Sequence, residues 1–104
     1  MCQTITYEML VSSRNTNSVK RFNVQTGSYI DDFISSNSGG LNTTQDVIKG
    51  PGGNILVSGR GNTRILMYDK TTGDSLMPFT NGYALNNPTK ITYGPDSSLY
   101  VSQW

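Results

Sequence analysis

Residues 56–79, LVSGRGNTRILMYDKTTGDSLMPF, decide the fold because they repeat residues 10–33, LVSSRNTNSVKRFNVQTGSYIDDF, at an offset of 46 positions. Seven of the 24 aligned pairs are identical, and four more are conservative exchanges. A second match, at an offset of 44, places residues 47–58 on residues 91–102 and aligns Gly50-Pro51 with Gly94-Pro95. A period in the forties is typical of repeat units that contain four short β-strands. The repeat units predicted here are about 5–45, 46–90 and a partial unit 91–104.

Each unit divides into four candidate strands, named a to d, because short runs of β-favouring residues alternate with turn residues. In the second unit the predicted strands are a, 46–49; b, 54–58; c, 64–69; and d, 75–80. Gly73 predicts a bulged hairpin between c and d, since glycine accepts the positive φ that such a turn needs. Strand c is apolar on both faces, which is typical of a strand packed between two neighbouring sheets. Pro78 in strand d indicates an outer edge.

The composition agrees with many short strands joined by polar turns, because Ser, Thr, Asn and Gly are abundant and the hydrophobic content is 35%. We predict an all-β fold. More specifically, the repeat predicts a partial β-propeller of about two and a half four-stranded blades, with residues 1–104 forming a single segment. An ordinary β-sandwich with turns at similar spacing is the alternative, and the repeat argues against it.

The predicted segment is too short to close a ring, because propellers contain roughly four to eight blades. It has nine or ten candidate strands, depending on whether Thr4–Tyr7 forms a separate a strand or Ile5–Ser12 forms one continuous strand. A monomer would expose blade faces lined by Val19, Phe22, Tyr100 and Val101. We therefore expect a homo-oligomer, with three copies favoured and two copies as the alternative. A truncated part of a longer propeller, without independent function, is the competing interpretation.

Charge and cysteine content exclude several partners and sites. The chain has eight Lys and Arg residues and seven Asp and Glu residues, so its net charge is close to zero and predicts no basic surface for nucleic acid. Cys2 is the only cysteine, which excludes an intrachain disulfide and a cysteine metal cluster. No apolar run is long enough for a membrane span and no secretory signal begins the chain, so the default expectation is a cytoplasmic protein without membrane contact. No cofactor and no metal ligand set is predicted.

The residues Leu56-Val57-Ser58, Arg64 to Asp69, Thr72-Gly73 and Gly94-Pro95-Asp96 resemble NHL-like β-propeller repeats of the streptogramin lyase-like and cyanobacterial type. The likeness runs from about Ile5 to Trp104. The resemblance implies a propeller fold, which hydrolases, lyases and binding proteins share. For the lyase branch it implies a catalytic histidine, and this chain contains no histidine.

For the lactonase-like branch, the resemblance implies a divalent metal held by carboxylate and amide side chains, and no convergent set of these stands out in the sequence. Without a histidine, no Ser or Thr has a base to activate it, and Lys49 and Lys90 are candidate bases only if they are buried. We therefore predict no catalytic residue and favour a non-enzymatic binding or interaction module. A metal-dependent lactonase-like hydrolase or lyase is the alternative.

The predicted binding face collects the b–c turns and the d–a connectors, since loops on a rigid scaffold commonly carry function. These loops are rich in Asn, Ser, Gly and Thr, which suit a polar small molecule or a carbohydrate. Arg14 and Arg60 occupy equivalent positions there, with Trp104 as their counterpart in the third unit, and guanidinium groups bind carboxylate or phosphate. Trp104 and Tyr83 could stack on a sugar. The alternative is that these residues only pack or pair locally.

Overall fold

The computed structural model describes residues 8–95 and 98–103 of the chain. In this part of the chain eight β-strands form three small antiparallel sheets, without any α-helix. The strands are β1 Glu8–Ser13, β2 Ser18–Asn23, β3 Tyr29–Ile34, β4 Thr44–Lys49, β5 Ile55–Gly59, β6 Leu66–Tyr68, β7 Pro88–Tyr93 and β8 Leu99–Gln103. Two 3₁₀ turns lie at Ser38–Gly40 and Pro51–Gly53. The predicted all-β class is confirmed.

Each sheet is a meander in which neighbours in sequence pair with each other. The first sheet has the order β1-β2-β3, the second β4-β5-β6, and the third contains β7 and β8. The strands keep the positions of the repeat, since β7 lies 44 positions after β4 and β8 lies 44 positions after β5. β1 corresponds to β5, because residues 8–13 fall on residues 54–59 at the offset of 46.

The predicted strands of the second unit agree with β4, β5 and β6, with shifts of one or two residues at their ends. The predicted d strand is irregular: Ser75 forms an isolated bridge with Tyr68, and Leu76 N–H donates to the Met67 carbonyl oxygen at 2.8 Å. Pro78 has no N–H group to continue such a ladder, which accounts for the irregularity. The alternative strand Thr4–Tyr7 lies outside the described residues.

The first hydrophobic cluster lies between the first and second sheets. Its members from β5 and β6 alternate in sequence, so that every second side chain of these two strands faces the first sheet. The buried members are Val19, Phe33, Ile34, Leu41, Ile55, Val57, Leu66 and Tyr68. The second sheet is therefore held against the first by side chains from all three of its strands and from the connector that precedes it.

The second hydrophobic cluster lies between the second and third sheets and contains the intervening residues of the same strands. Leu56 and Ile65 are fully buried there, and Ile91 of β7 is 2% exposed. The run from Ile65 to Tyr68 divides its side chains between the two clusters, with Ile65 and Met67 on one side and Leu66 and Tyr68 on the other. This confirms the prediction of a strand with apolar side chains on both faces.

The predicted exposed faces need correction. Val19 is fully buried in the first cluster and Val101 packs against the second, so the prediction that both line exposed faces is wrong. Tyr100 is 53% exposed, as expected for a terminal face, and Phe22 is half-buried. The side chains of Met9 and Val11 are exposed in the first sheet. Alternation along a strand separates its two faces, but which of them meets a neighbour depends on packing.

The three sheets are stacked in a row, because β4 contacts both β1 and β7. The chain measures 50 × 33 × 21 Å along its principal axes. Among the residues described, no helix has the length and apolar content needed to cross a membrane.

Candidate functional site

The loops on one face of the stack are joined to each other by hydrogen bonds. The connector of residues 35–44 contacts the β1–β2 turn, where Thr43 N–H donates to Asn17 Oδ1 at 2.7 Å. It also contacts the turn after β5, where Arg60 N–H donates to the Thr43 carbonyl oxygen at 2.9 Å. The second connector, residues 81–88, joins the same face through Leu85, whose N–H group donates to the Thr63 carbonyl oxygen at 2.7 Å. The predicted b–c turns and d–a connectors therefore lie together.

Two asparagines hold this loop face in place. Asn62 Oδ1 accepts the N–H of Asn42 at 3.0 Å, and Asn62 Nδ2 donates to the Gly40 carbonyl oxygen at 2.8 Å. Glycine is required beside them, because a Cβ at Gly59 would overlap Asn62 Oδ1 and a Cβ at Gly61 would overlap the Asn42 side chain. Both amides thus serve loop structure, and residues 60–61 form the turn that follows β5.

The predicted binding residues lie on or beside this loop face as far as the structure describes them. Arg14 is exposed in the β1–β2 turn, and Arg60 is half-buried immediately after β5. Tyr83 is 71% exposed in the second connector. Trp104 lies outside the described residues. A chain of hydrogen bonds from the Asn17 side chain through Thr43 to Arg60 joins the two arginine-bearing turns.

A shallow depression of about 250 Å³ lies on the loop face. Its lining is mostly polar backbone and side chain, from Gly39, Gly40, Asn62, Thr63, Arg64, Leu66 and Pro78. Small-molecule sites occupy about 300–1,000 Å³, so the depression is smaller than a typical ligand site. The predicted residues Arg14, Arg60 and Tyr83 do not line it.

A larger cleft of about 620 Å³ lies between the first and second sheets, at the end opposite to the loop face. It has an apolar wall and four charged residues at its margin. Its lining is Glu8, Leu10, Arg21, Phe33, Lys49, Gly53, Ile55, Lys70 and Thr71. Sequence reasoning missed this cleft, because Arg21, Lys49 and Lys70 belong to different strands and turns and share no motif.

The charges of the cleft are partly used by the protein itself. Arg21 forms two hydrogen bonds to the Asp31 carboxylate, at 2.9 and 2.6 Å, and its guanidinium carbon lies 5.0 Å from the centre of the Phe33 ring. The hydrogen bonds to Asp31 raise the pKa of Arg21 above its usual value. Lys70 Nζ donates to the Gly52 carbonyl oxygen at 2.9 Å. Lys49 and the remaining N–H groups of Lys70 are the donors that an anionic group entering the cleft would meet.

The two candidate bases of the sequence lie at the surface of the structure. Lys49 and Lys90 are both exposed, so neither has the buried environment on which the prediction of a base depended. Burial raises the pKa of Tyr68 to about 12, and its hydroxyl group donates to the Ser38 carbonyl oxygen at 2.6 Å. Among residues 8–95 and 98–103, no three His, Cys, Asp or Glu side chains converge as metal ligands.

Comparisons with known proteins identified no relative, because no family model, no curated protein and no solved structure matched the chain.

Proposed function

We propose that this chain is a non-enzymatic binding or interaction module, built as a segment of an NHL-like β-propeller that completes its ring with further copies of itself. The sequence resemblance to such repeats is one support. The observation that carries the proposal is a hydrogen bond that recurs with the repeat. Ser12 Oγ donates to the Gln45 carbonyl oxygen between the first two sheets, and Ser58 Oγ donates to the Thr89 carbonyl oxygen between the next two.

This recurrence favours blades over a sandwich. Ser58 follows Ser12 by 46 positions and Thr89 follows Gln45 by 44, the two offsets of the repeat. Each sheet therefore contacts the next through the same atoms, as neighbouring blades of a propeller do. A β-sandwich buries one face of each of two sheets. Here β5 and β6 contribute side chains to two clusters, one on each side of the second sheet.

Self-association is proposed because three sheets fall short of the roughly four to eight blades that close a ring. Three copies with two blades each remain our sequence-based proposal, with two copies as the alternative. The strand positions add a constraint, since β8 and β1 both correspond to the b strand of the repeat. If two copies shared a blade, β8 of one copy and β1 of the other would both require its b position. Two copies with three sheets each reach six sheets without sharing a blade.

The solution mass of the purified chain tests this proposal. Size-exclusion chromatography with light scattering should give a discrete species at two or three times the chain mass of 11.4 kDa. A stable, folded monomer at high concentration would contradict completion by self-association. Circular dichroism on the same sample separates a folded monomer from an unfolded chain.

For the ligand we propose a polar small molecule or carbohydrate on the loop face. The support is the exposed position of Tyr83 in the second connector and the polar lining of the depression on the loop face. Titration with glucose, followed by ¹H–¹⁵N NMR, should shift the amides of residues 39–44 and 59–64. Tyr83→Ala should weaken the shifts, and Tyr93→Ala is the matched control because Tyr93 is an exposed tyrosine at the opposite end of β7. Shifts confined to the opposite end would contradict the proposed face.

A further inference from the structure

The side chains of each sheet follow one rule of orientation along the stack, and what we infer from this rule rests on the proposed self-association. In β5, Ile55 and Val57 face the first sheet, whereas Leu56 faces the third. The equivalent residues of β1 are Met9, Val11 and Leu10, and Leu10 packs against the second sheet as Leu56 packs against the third. Each sheet therefore has one face for the preceding sheet and one for the following sheet.

The stack ends in two faces that have no neighbouring sheet in the described part of the chain. On the first sheet this is the face of Met9, Val11 and Phe22, here named the leading face. Met9 is 45% and Val11 38% exposed, whereas their equivalents Ile55 and Val57 are 4% and 0% exposed. The difference arises because the first sheet packs on this face of the second, whereas no described sheet packs on the same face of the first.

On the third sheet the unpartnered face consists of Thr92, Tyr100 and Ser102, here named the trailing face. Tyr100 is 53% exposed, whereas its equivalent Leu56 is fully buried. Ser102 corresponds to Ser12 and Ser58, the residues that donate to the next sheet. With no sheet to follow, the Ser102 hydroxyl group instead lies 2.8 Å from Thr89 Oγ1 and accepts the N–H of Lys90 at 3.0 Å.

We infer that the trailing face of one copy packs on the leading face of another copy, head to tail. Two contacts of this kind already exist within the chain. The face of the first sheet that carries Leu10 packs on the face of the second that carries Ile55 and Val57. The face of the second sheet that carries Leu56 packs on the third. A contact between copies would continue that series with equivalent positions. Such an interface is heterologous, and it closes into a ring when the rotation per sheet is right. Two copies would bring six sheets together, within the range of closed propellers.

A mixing experiment with two variants tests the arrangement. Val11→Glu introduces a charge on the leading face, and Tyr100→Glu introduces one on the trailing face, at positions whose exposure allows each chain to fold alone. Each variant alone should give a monomer by light scattering. An equimolar mixture should give a dimer of one copy of each, because the trailing face of the first variant and the leading face of the second are both intact.

The control is Met77→Glu, which adds the same charge at a residue that is 81% exposed in the segment after β6 and lies on neither face. It should keep the mass of the unmodified chain. A wild-type chain that is monomeric would overturn the proposed self-association. An assembled wild-type chain whose mass neither variant lowers would overturn only the head-to-tail assignment. Assembly that is lost with Val11→Glu but retained with Tyr100→Glu would indicate a symmetric contact between two leading faces and would also overturn it.

Folding of the variants is checked by circular dichroism before mixing. Ser102→Arg replaces Tyr100→Glu if the latter is unfolded, since Ser102 is exposed on the same face. Recovery of a dimer on mixing requires both chains to be folded, so the mixture itself separates blocked association from misfolding.

Discussion

The hydroxyl group of Ser12 donates a hydrogen bond of 2.9 Å to the carbonyl oxygen of Gln45, across the space between the first and second sheets. The same bond joins Ser58 to Thr89 one repeat later. A serine at the end of one strand thus holds the first strand of the next sheet, in the irregular region where β4 and β7 begin. The contact between sheets is therefore part of the repeat unit, together with the strands themselves.

Removing this hydroxyl group should cost stability only where a following sheet accepts the bond. Ser58 is fully buried, so Ser58→Ala should lower the free energy of unfolding by about 1 kcal/mol, the usual value for one hydrogen bond. Ser102→Ala, at the equivalent exposed position, should cost less than about 0.5 kcal/mol in the monomer. Urea titration of both variants measures the difference. Equal losses would show that the bond to the next sheet contributes nothing.

Two glycines at the same position of the repeat should differ in their tolerance of alanine. Gly27 and Gly73 have φ of +75° and +76°, so alanine is strained at both, by about 1 kcal/mol. At Gly27 a Cβ would meet no other atom within 4 Å, whereas at Gly73 it would overlap the carbonyl oxygen of Phe33. Gly73→Ala should therefore cost about 1–3 kcal/mol more than Gly27→Ala. Thermal unfolding of the pair measures this, and similar losses would contradict the close packing of Gly73.

Stability should fall at alkaline pH because of Tyr68. Burial raises the pKa of its phenol to about 12, above the value of about 10 for an unfolded chain, so the folded state favours the protonated form. The resulting stabilisation is complete below pH 10 and is lost as the pH rises from 10 towards 12. Tyr68→Phe should flatten this decline. It should also lower stability at pH 7 by about 1 kcal/mol, because the hydrogen bond to Ser38 is lost.

Urea midpoints between pH 8 and pH 11 test the effect of Tyr68. Tyr83→Phe is the control, since Tyr83 is exposed and should leave the alkaline decline as in the wild type. An unchanged slope in Tyr68→Phe would assign the decline to other groups.

Asp69 should contribute to the loss of stability at acid pH. Its carboxylate accepts the N–H groups of Thr72 and Thr71, at 2.9 and 2.7 Å, and these bonds lower its pKa. A lowered pKa means that the stabilisation is present above about pH 4, the unfolded value, and is lost as the pH falls below it. Asn23 makes the equivalent bonds in the first unit with an amide that does not titrate. Asp69→Asn should therefore keep the turn at pH 7 and reduce the acid loss.

The measurement for Asp69 is the urea midpoint at pH 7 and at pH 3. Asp74→Asn removes one negative charge from the same hairpin and is the control for net charge. If both variants reduce the acid loss equally, the cause is net charge and the turn bonds have no specific role.

Local features were predictable to the extent that they depend on neighbours in sequence. The alternation of Ile65 to Tyr68 between two clusters and the hairpin at Gly73 both follow from side-chain period and backbone freedom. The cleft beside Arg21, Lys49 and Lys70 did not follow, because residues more than 20 positions apart meet there only through sheet packing. The structural role of Asn42 and Asn62 could not be predicted either, because polar loops that bind ligands and polar loops that bond to each other have similar composition.

The sequence by itself determined the all-β class, the positions of most strands and the repetition of the unit, because period-two alternation and turn chemistry act over a few residues. Only the tertiary structure decided which face of each strand meets a neighbouring sheet. Val19, which was predicted to be exposed, is buried, and Met9 and Val11 are exposed on the leading face instead. The reason is that alternation places Leu10 on one face of β1 and Met9 and Val11 on the other, so both faces carry apolar side chains, and only the packing of the sheets decides which of them is buried.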